Sequence, residues 1–188
     1  MHLPLDFQLT TPRCRLRAPS AEDIPHVFSA TRVAGFNDGM LWDPPASEEE
    51  LLEPLRQNLE AWSSGVAFVF TIEMRQDANF AGRIGIRPGP RPRPNVWDIG
   101  FWLHPNHQGR GLMTEAAHAV VDFGFGHLQA EAIESRHATW NLRSRRVLDR
   151  LGMIEVEYLP QGFQKRGEWV PEFLMRLEKG QPRGNRSA

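Results

Sequence analysis

Along the chain the spacing of hydrophobic positions switches between a period of two and one of three to four, and each switch marks an element. Alternation in Arg13-Cys14-Arg15-Leu16-Arg17-Ala18 predicts a first strand. Ser20-Ala21-Glu22-Asp23, whose hydroxyl and carboxylate suit a reciprocal cap, predicts a helix from there to about Thr31. Gly35 to Pro45 holds too many turn formers for regular structure, and Ser47-Glu48-Glu49-Glu50 repeats the cap signature before a second helix to about Ser63. Period two then returns: Ala67 to Met74, Phe80 to Ile86 and Val96 to Leu103 predict a three-strand meander. Leu112, Ala116, Ala119, Val120 and Phe123 share one face of a helix running to about His127. A strand from Ala132 to Ala138 follows, then a helix from Asn141 to Leu151 that Gly152 ends in the left-handed conformation. Met153 to Tyr158 and Trp169 to Leu177 complete a set of about seven strands.

The strand-helix-strand order in the middle requires a right-handed parallel crossover, whereas the flanking hairpins require antiparallel pairs. The expected class is therefore α/β with a mixed sheet. Neither a repeat nor a linker interrupts residues 1–178, which read as one domain, and the polar residues 179–188 read as a mobile tail.

Composition narrows the chemistry. With 188 residues and a formal charge of −1, the chain is long enough for a substantial core and lacks the cationic excess that binding nucleic acid needs. Its apolar runs fall short of the roughly 20 residues of a membrane span, and Met1 to Asp6 does not resemble a secretion signal, so a cytoplasmic protein without membrane or nucleic-acid partners is expected. Cys14, the one cysteine, reads as a small strand residue. Arg87 to Pro94 is basic, but its prolines and glycine make it first a solvated connection.

The distinctive stretch is Gly109-Arg110-Gly111, between an apolar strand and a long helix. The leading end of a helix presents unpaired N–H groups and partial positive charge, and glycines let a phosphate approach them. No Gly-Lys-Ser or Gly-Lys-Thr follows, so a metal-free pyrophosphate is a better guest than a Mg²⁺-bound triphosphate. A dinucleotide fingerprint fits less well: Thr114 takes its third glycine position, although Glu131 and Glu134 lie where its acidic residue would. A turn that binds nothing is the plain alternative.

A second stretch decides between them. In His137 to Met153, "HATWNLRSRRVLDRLGM", Asn141, Ser144, Val147, Leu148 and Gly152 recur at helical spacing one strand after the turn. With "TPRCRLRAPSAEDI" and "WDIGFWLHPNHQGRGLMTEA", it makes residues 10 to 178 resemble the GNAT acyltransferases, in the branch of the RimJ- and RimL-like ribosomal-protein N-acetyltransferases. The resemblance implies a mixed sheet with helices on both faces and a splay between the fourth and fifth strands. It implies acetyl-CoA as cofactor, no metal, and an amine acceptor, either small molecule or peptide. Relatives are often dimers, so a homodimer is one expected assembly. The pyrophosphate would rest on the amides of Gln108, Gly109, Arg110, Gly111, Leu112 and Met113, and the pantetheine arm along Trp102, Leu103 and His104. Asn141 would bind that arm, and Arg145 or Arg146 the outer phosphate.

Direct transfer needs a polarised carbonyl, a proton for the departing sulfur and a base for the amine. The Leu103 N–H can supply the first. Many relatives carry an acid tyrosine where this chain has Leu148; the RimL-like branch carries a serine at Ser144, which the resemblance makes the proton donor. Asp98, breaking an apolar strand, and His137, ending the strand across the splay, are the candidate bases. No carboxylate between Pro160 and Arg166 matches the hairpin glutamate of RimL-like members. The acceptor should enter among Phe36, Trp42, Phe163 and Trp169, with Asp38 and Asp43 attracting a cationic amine. A non-enzymatic acyl-CoA sensor and a nicotinamide or flavin oxidoreductase are the competing readings.

Overall fold

The computed structural model describes residues 2–89 and 93–182; part of the basic connection and residues 183–188 of the expected tail lie outside the described residues. The strands are β1 (Gln8–Thr10), β2 (Cys14–Arg17), β3 (Phe68–Met74), β4 (Phe80–Pro88), β5 (Val96–Leu103), β6 (Ala132–Ala138), β7 (Ile154–Lys165) and β8 (Glu168–Glu178). They form one sheet in the order β1-β2-β3-β4-β5-β6-β8-β7. The helices are α1 (Ile24–Thr31), α2 (Leu52–Ser64), α3 (Leu112–Gly126) and α4 (Leu142–Leu151). Among the described residues, no helix is long and apolar enough to cross a membrane.

Eight strands replace the expected seven, because Gln8–Thr10 pairs with β2 at the sheet edge. Three residues are too few for alternation to announce them. β7 also runs on to Lys165 instead of stopping at Tyr158, with an irregularity between Leu159 and Phe163. Arg166 (φ 51) and Gly167 (φ 84) then make a two-residue turn whose positive φ values match the twist of a hairpin.

Alternation along the strands sorts the two faces. Phe68, Phe70, Ile84, Ile86, Ile99, Ile133, Met175 and Leu177 are buried together with α3, the end of α2 and the inner residues of α4. Trp62 lies edge-on to Phe68 and Phe70, and Phe123 of α3 closes the cluster on both. The opposite face carries α1 through a polar hub. Asp23, almost wholly buried, accepts from Ser20 N–H (3.0 Å), Thr71 Oγ1 (2.6 Å) and Arg17 Nη2 (2.8 Å). Burial would raise this carboxyl, but those donors outweigh it and hold the group below its ordinary value.

The sheet changes sense once, at the parallel pair β5–β6, and that pair is incomplete. Its register runs only through Val96↔Ala132, Trp97↔Ile133 and Asp98↔Glu134. Beyond it β5 stays with β4 as far as Leu103, and β6 stays with β8 as far as Ala138. The result is a V-shaped fork whose two arms are each tied to an outer neighbour. Ser135 Oγ, donating to the Ile99 carbonyl at 2.8 Å, spans the fork just above its vertex.

The β5 arm depends on a glycine opposite it. A Cβ on Gly82 would fall 2.3 Å from the Trp102 carbonyl oxygen and 2.8 Å from Leu103 Cα. Both are backbone atoms, so no rotamer change relieves the clash. Gly82→Ala should cost about 1–3 kcal/mol, read as a lower midpoint in thermal denaturation; an unchanged midpoint would show that the arm tolerates displacement.

Candidate active site

The glycine turn lies at the open end of the fork. A single 3₁₀ turn, Pro105–His107, leads into Gln108, and Gly109 (φ 75) and Gly111 (φ 73) take left-handed conformations before α3 starts at Leu112. No side chain caps α3, and a Cβ on Gly109 would meet nothing within 4 Å. The first-turn amides therefore have no side-chain cap among the described residues, while the side chains of Leu112 and Met113 are buried. A brace that sequence reading missed holds this end in place. Glu115 accepts from Thr11 Oγ1 (2.6 Å), Arg13 N–H (2.7 Å) and Arg13 Nε (2.7 Å), and Arg13 Nη1 donates to the Arg110 carbonyl (2.9 Å). Burial raises the Glu115 carboxyl, yet Thr11 and Arg13 outweigh it and keep it below its ordinary value. The arginine offsets a negative charge that would otherwise repel an anion at the helix end.

Backbone direction narrows the pantetheine segment. The His104 N–H donates to the Ala81 carbonyl at 2.8 Å, so alternation turns Trp102 toward β4 as well. Of Trp102, Leu103 and His104, only Leu103 presents its peptide to the fork, joined there by Phe101. The Leu103 carbonyl already accepts from Gln108 Nε2 at 3.0 Å, and Gln108 Oε1 accepts from Arg143 Nη1 at 2.7 Å. Arg143, absent from the sequence expectation, is thus the α4 cation that reaches the turn. Arg146 is exposed with no hydrogen bond to the turn, and Arg145 is engaged by Asp149 (2.8 Å) and Glu155 (2.7 Å).

Asn141 caps α4, its Oδ1 accepting from Ser144 N–H at 3.1 Å. That use of the oxygen leaves the amide nitrogen as the donor for any ligand. The Ser144 side chain is half-buried, and Leu148 is packed in the core. His137 also lies on the α3/α4 side, by alternation with Ile133. Its Nδ1 contacts the Ala138 carbonyl at 2.9 Å, and Nε2 is buried with no partner among the described residues.

Asp98, Trp102, Arg136 and Glu172 point to the opposite face. Asp98 stands at the last paired rung, 3.9 Å from Arg87, and burial pushes its carboxyl up to about 6 against the opposing pull of Arg87 and Arg136. Phe36 stacks edge-on against both Trp42 (6.4 Å) and Trp102 (5.3 Å), so the loop after α1 reaches the β5 arm. Lys165 Nζ fastens the same loop from β7, donating to the Met40 and Trp42 carbonyls (3.1 and 2.8 Å) and pairing with Asp43 at 2.7 Å. Asp43 is therefore neutralised and does not act as the expected lure for a cation. Asp38 lies 3.8 Å from Arg166. Of the four expected wall residues, Phe36 and Trp42 come together; Phe163 is buried on β7 and Trp169 is half-exposed on β8, with neither in ring contact with that pair.

An acetyltransferase (GNAT) domain model matches residues 13–154. The chain is 29% identical to the uncharacterised N-acetyltransferase YnaD of Bacillus subtilis over 42% of its own length and 46% of YnaD's. It is 28% identical to the uncharacterised protein YkkB of the same organism over 78% of its length and 84% of YkkB's. The chain thus spans less than half of YnaD. Among solved structures, RimL, a ribosomal L7/L12 alpha-N-protein acetyltransferase in complex with coenzyme A, superposes with a TM-score of 0.82 at 18% identity, covering 92% of this chain and 98% of RimL. Mycobacterium smegmatis RimJ superposes with a TM-score of 0.81 at 21% identity, covering 95% and 90%. At such identities the likeness establishes the fold.

Because the Asp98 carboxyl stands near 6 in the folded protein against an ordinary value of about 3.8, the folded protein binds the extra proton between those values. The contribution of Asp98 to stability should be fully present below about 3.8 and be lost as pH rises through about 6, a decline of about 3 kcal/mol for this group. Asp98→Asn should remove that decline. Denaturant titrations of both proteins at several pH values check it, and parallel pH profiles would contradict it.

Proposed function

The chain belongs to the GNAT acetyltransferase family, and from that membership we propose an acetyl-CoA-dependent N-acetyltransferase that transfers acetyl directly to a primary amine. The observation that carries the reading is the fork. Two neighbouring strands keep their outer partners while the Phe101 peptide and the Leu103 N–H face a gap, and burying unpaired peptide groups is costly unless an amide-bearing arm fills it. The uncapped α3 amides and the clear space at Gly109 fit the pyrophosphate.

Acetyl-CoA supplies an activated thioester. Around it Gly109 to Met113 offer backbone donors for the diphosphate, the expected Gln108 N–H being turned instead to the Pro105 carbonyl at 3.3 Å, while Leu103 N–H polarises the carbonyl and the Asn141 amide nitrogen orients the arm. Arg143 takes the phosphate-binding role expected of Arg146, since it already touches Gln108. Ser144 donates the proton to the departing sulfur. Asp98 and His137 remain the bases proposed from sequence, although only Asp98 shares a face with Phe36, Trp42 and Trp102. The acceptor enters from that face, as a protein N-terminus or a small amine; the activity in RimL's name supports the first class. Burial of Leu148 favours one second reading, an acyl-CoA-binding domain without turnover.

Thiol release from acetyl-CoA across a panel of amines separates these readings; tight binding with complete inertness would leave the sensor. Ser144→Ala should lower kcat about 10- to 100-fold while leaving the KM for acetyl-CoA nearly unchanged. Arg143→Ala should raise that KM severalfold, whereas an equal rise in Arg146→Ala would return the phosphate role to the latter.

A further inference from the structure

On β8 a carboxylate lies on the acceptor face without a direct ion pair among the described residues, Arg136 acting on it only at longer range. Glu172 is 7% exposed, and among the described residues no hydrogen bond or ion pair engages it. It stands opposite Ala138, on the part of β6 that has left β5, so it belongs to the open arm of the fork. Asp98 sits one rung below the opening and faces Arg87. From β7 the irregular segment Leu159–Phe163 brings Gly162 against Glu172 so closely that a Cβ there would fall 2.5 Å from Glu172 Cγ. The backbone thus fixes the side chain from its outer side. The charged groups acting on Asp98 are Arg87 on β4, Arg136 and Glu134 on β6, and Glu172 itself, whereas Arg136 alone acts on Glu172; Arg136 Nε is buried and has no hydrogen-bond partner among the described residues. Burying a carboxylate without a direct partner is costly unless a bound molecule completes it.

We propose that Glu172 is the general base of the transfer, taking the proton of the acceptor amine, in place of Asp98 or His137. This assignment rests on the acetyltransferase reading. The amine nitrogen forms a bond to the thioester carbonyl carbon as the carbon–sulfur bond breaks. The nitrogen's proton passes to a Glu172 carboxylate oxygen, the sulfur leaves with the Ser144 proton, and solvent then takes the proton from Glu172 and returns one to Ser144. The reaction consumes no oxidant or reductant. Burial holds the Glu172 carboxyl above its ordinary value against the pull of Arg136, which brings it nearer the affinity a base needs at neutral pH.

The test uses the full chain, acetyl-CoA and a set of acceptors: tetrapeptides with free N-terminal Ser, Ala or Met, spermidine and glucosamine. With the best acceptor, Glu172→Gln should lose more than about 100-fold in kcat/KM for the amine. Its KM for acetyl-CoA should hold, and its thermal midpoint should hold or rise, because a neutral amide relieves the unpaired charge. Glu172→Ala should regain part of the rate on adding formate, a response that a structural role would not give. Glu172→Gln turning over within threefold of the native chain overturns the assignment alone, as does loss of the acidic limb of the pH profile in Asp98→Asn with its survival in Glu172→Gln. A native chain that binds acetyl-CoA but releases no thiol with any acceptor overturns the acetyltransferase reading and this assignment together.

Discussion

Peptide groups that have lost a neighbour but cannot move to find another are the constraint on which the rest of this molecule depends. β4 holds β5 and β8 holds β6 along their whole useful lengths, so neither arm can swing across the gap. Ser135 fastens the vertex to Ile99, which stops the separation from travelling further down the sheet. The opening is therefore a fixed feature of the pairing pattern, and its edge chemistry, alternating N–H and C=O, suits an amide-bearing guest.

Charge is distributed to serve that opening. At its mouth a helix end would normally be capped by Ser, Thr, Asp or Asn, but Gly111 occupies the capping position, leaving the amides available. The nearby Glu115 turns away to bind Thr11 and Arg13, which ties α3 to the start of the sheet and removes a repulsive charge in the same contact. Lower on the same molecule, Asp23 gathers α1, β2 and β3 around one fully satisfied carboxylate. The contrast with Glu172 is physical: both are buried, but one is surrounded by donors and the other has none among the described residues.

The two faces of the sheet divide the work. On one, α3 and α4 bring the glycine turn, Arg143, Asn141 and Ser144 to the mouth of the fork. On the other, the loop after α1 is drawn over the strands by Lys165 from below and by aromatic contacts to Trp102 from the side. Lys165 spends its charge on that loop, so Asp43 becomes a fastening and its attraction for a cation disappears.

Much of this is legible in the amino-acid sequence. Periodicity gave the helices and most strand boundaries, since each element buries one face, and Gly109 and Gly111 announced a turn that only glycine makes easily. The fork could be expected from resemblance alone, because β5 and β6 are adjacent apolar segments whose sequences say nothing about where pairing stops. Side chains were harder. Arg143, Arg145 and Arg146 are chemically alike and neighbouring, and only their rotation about α4 decides which one meets Gln108 and which ones meet carboxylates or solvent. Glu172 was hidden for the same reason: in Trp169-Val170-Pro171-Glu172-Phe173 it is one polar residue on a strand, and its importance comes from β6, β7 and β5, which meet it only after the sheet has formed. Local pattern depends on neighbours a few residues apart and is written in order along the chain; partnership between distant charges depends on register and face, which tertiary packing alone decides.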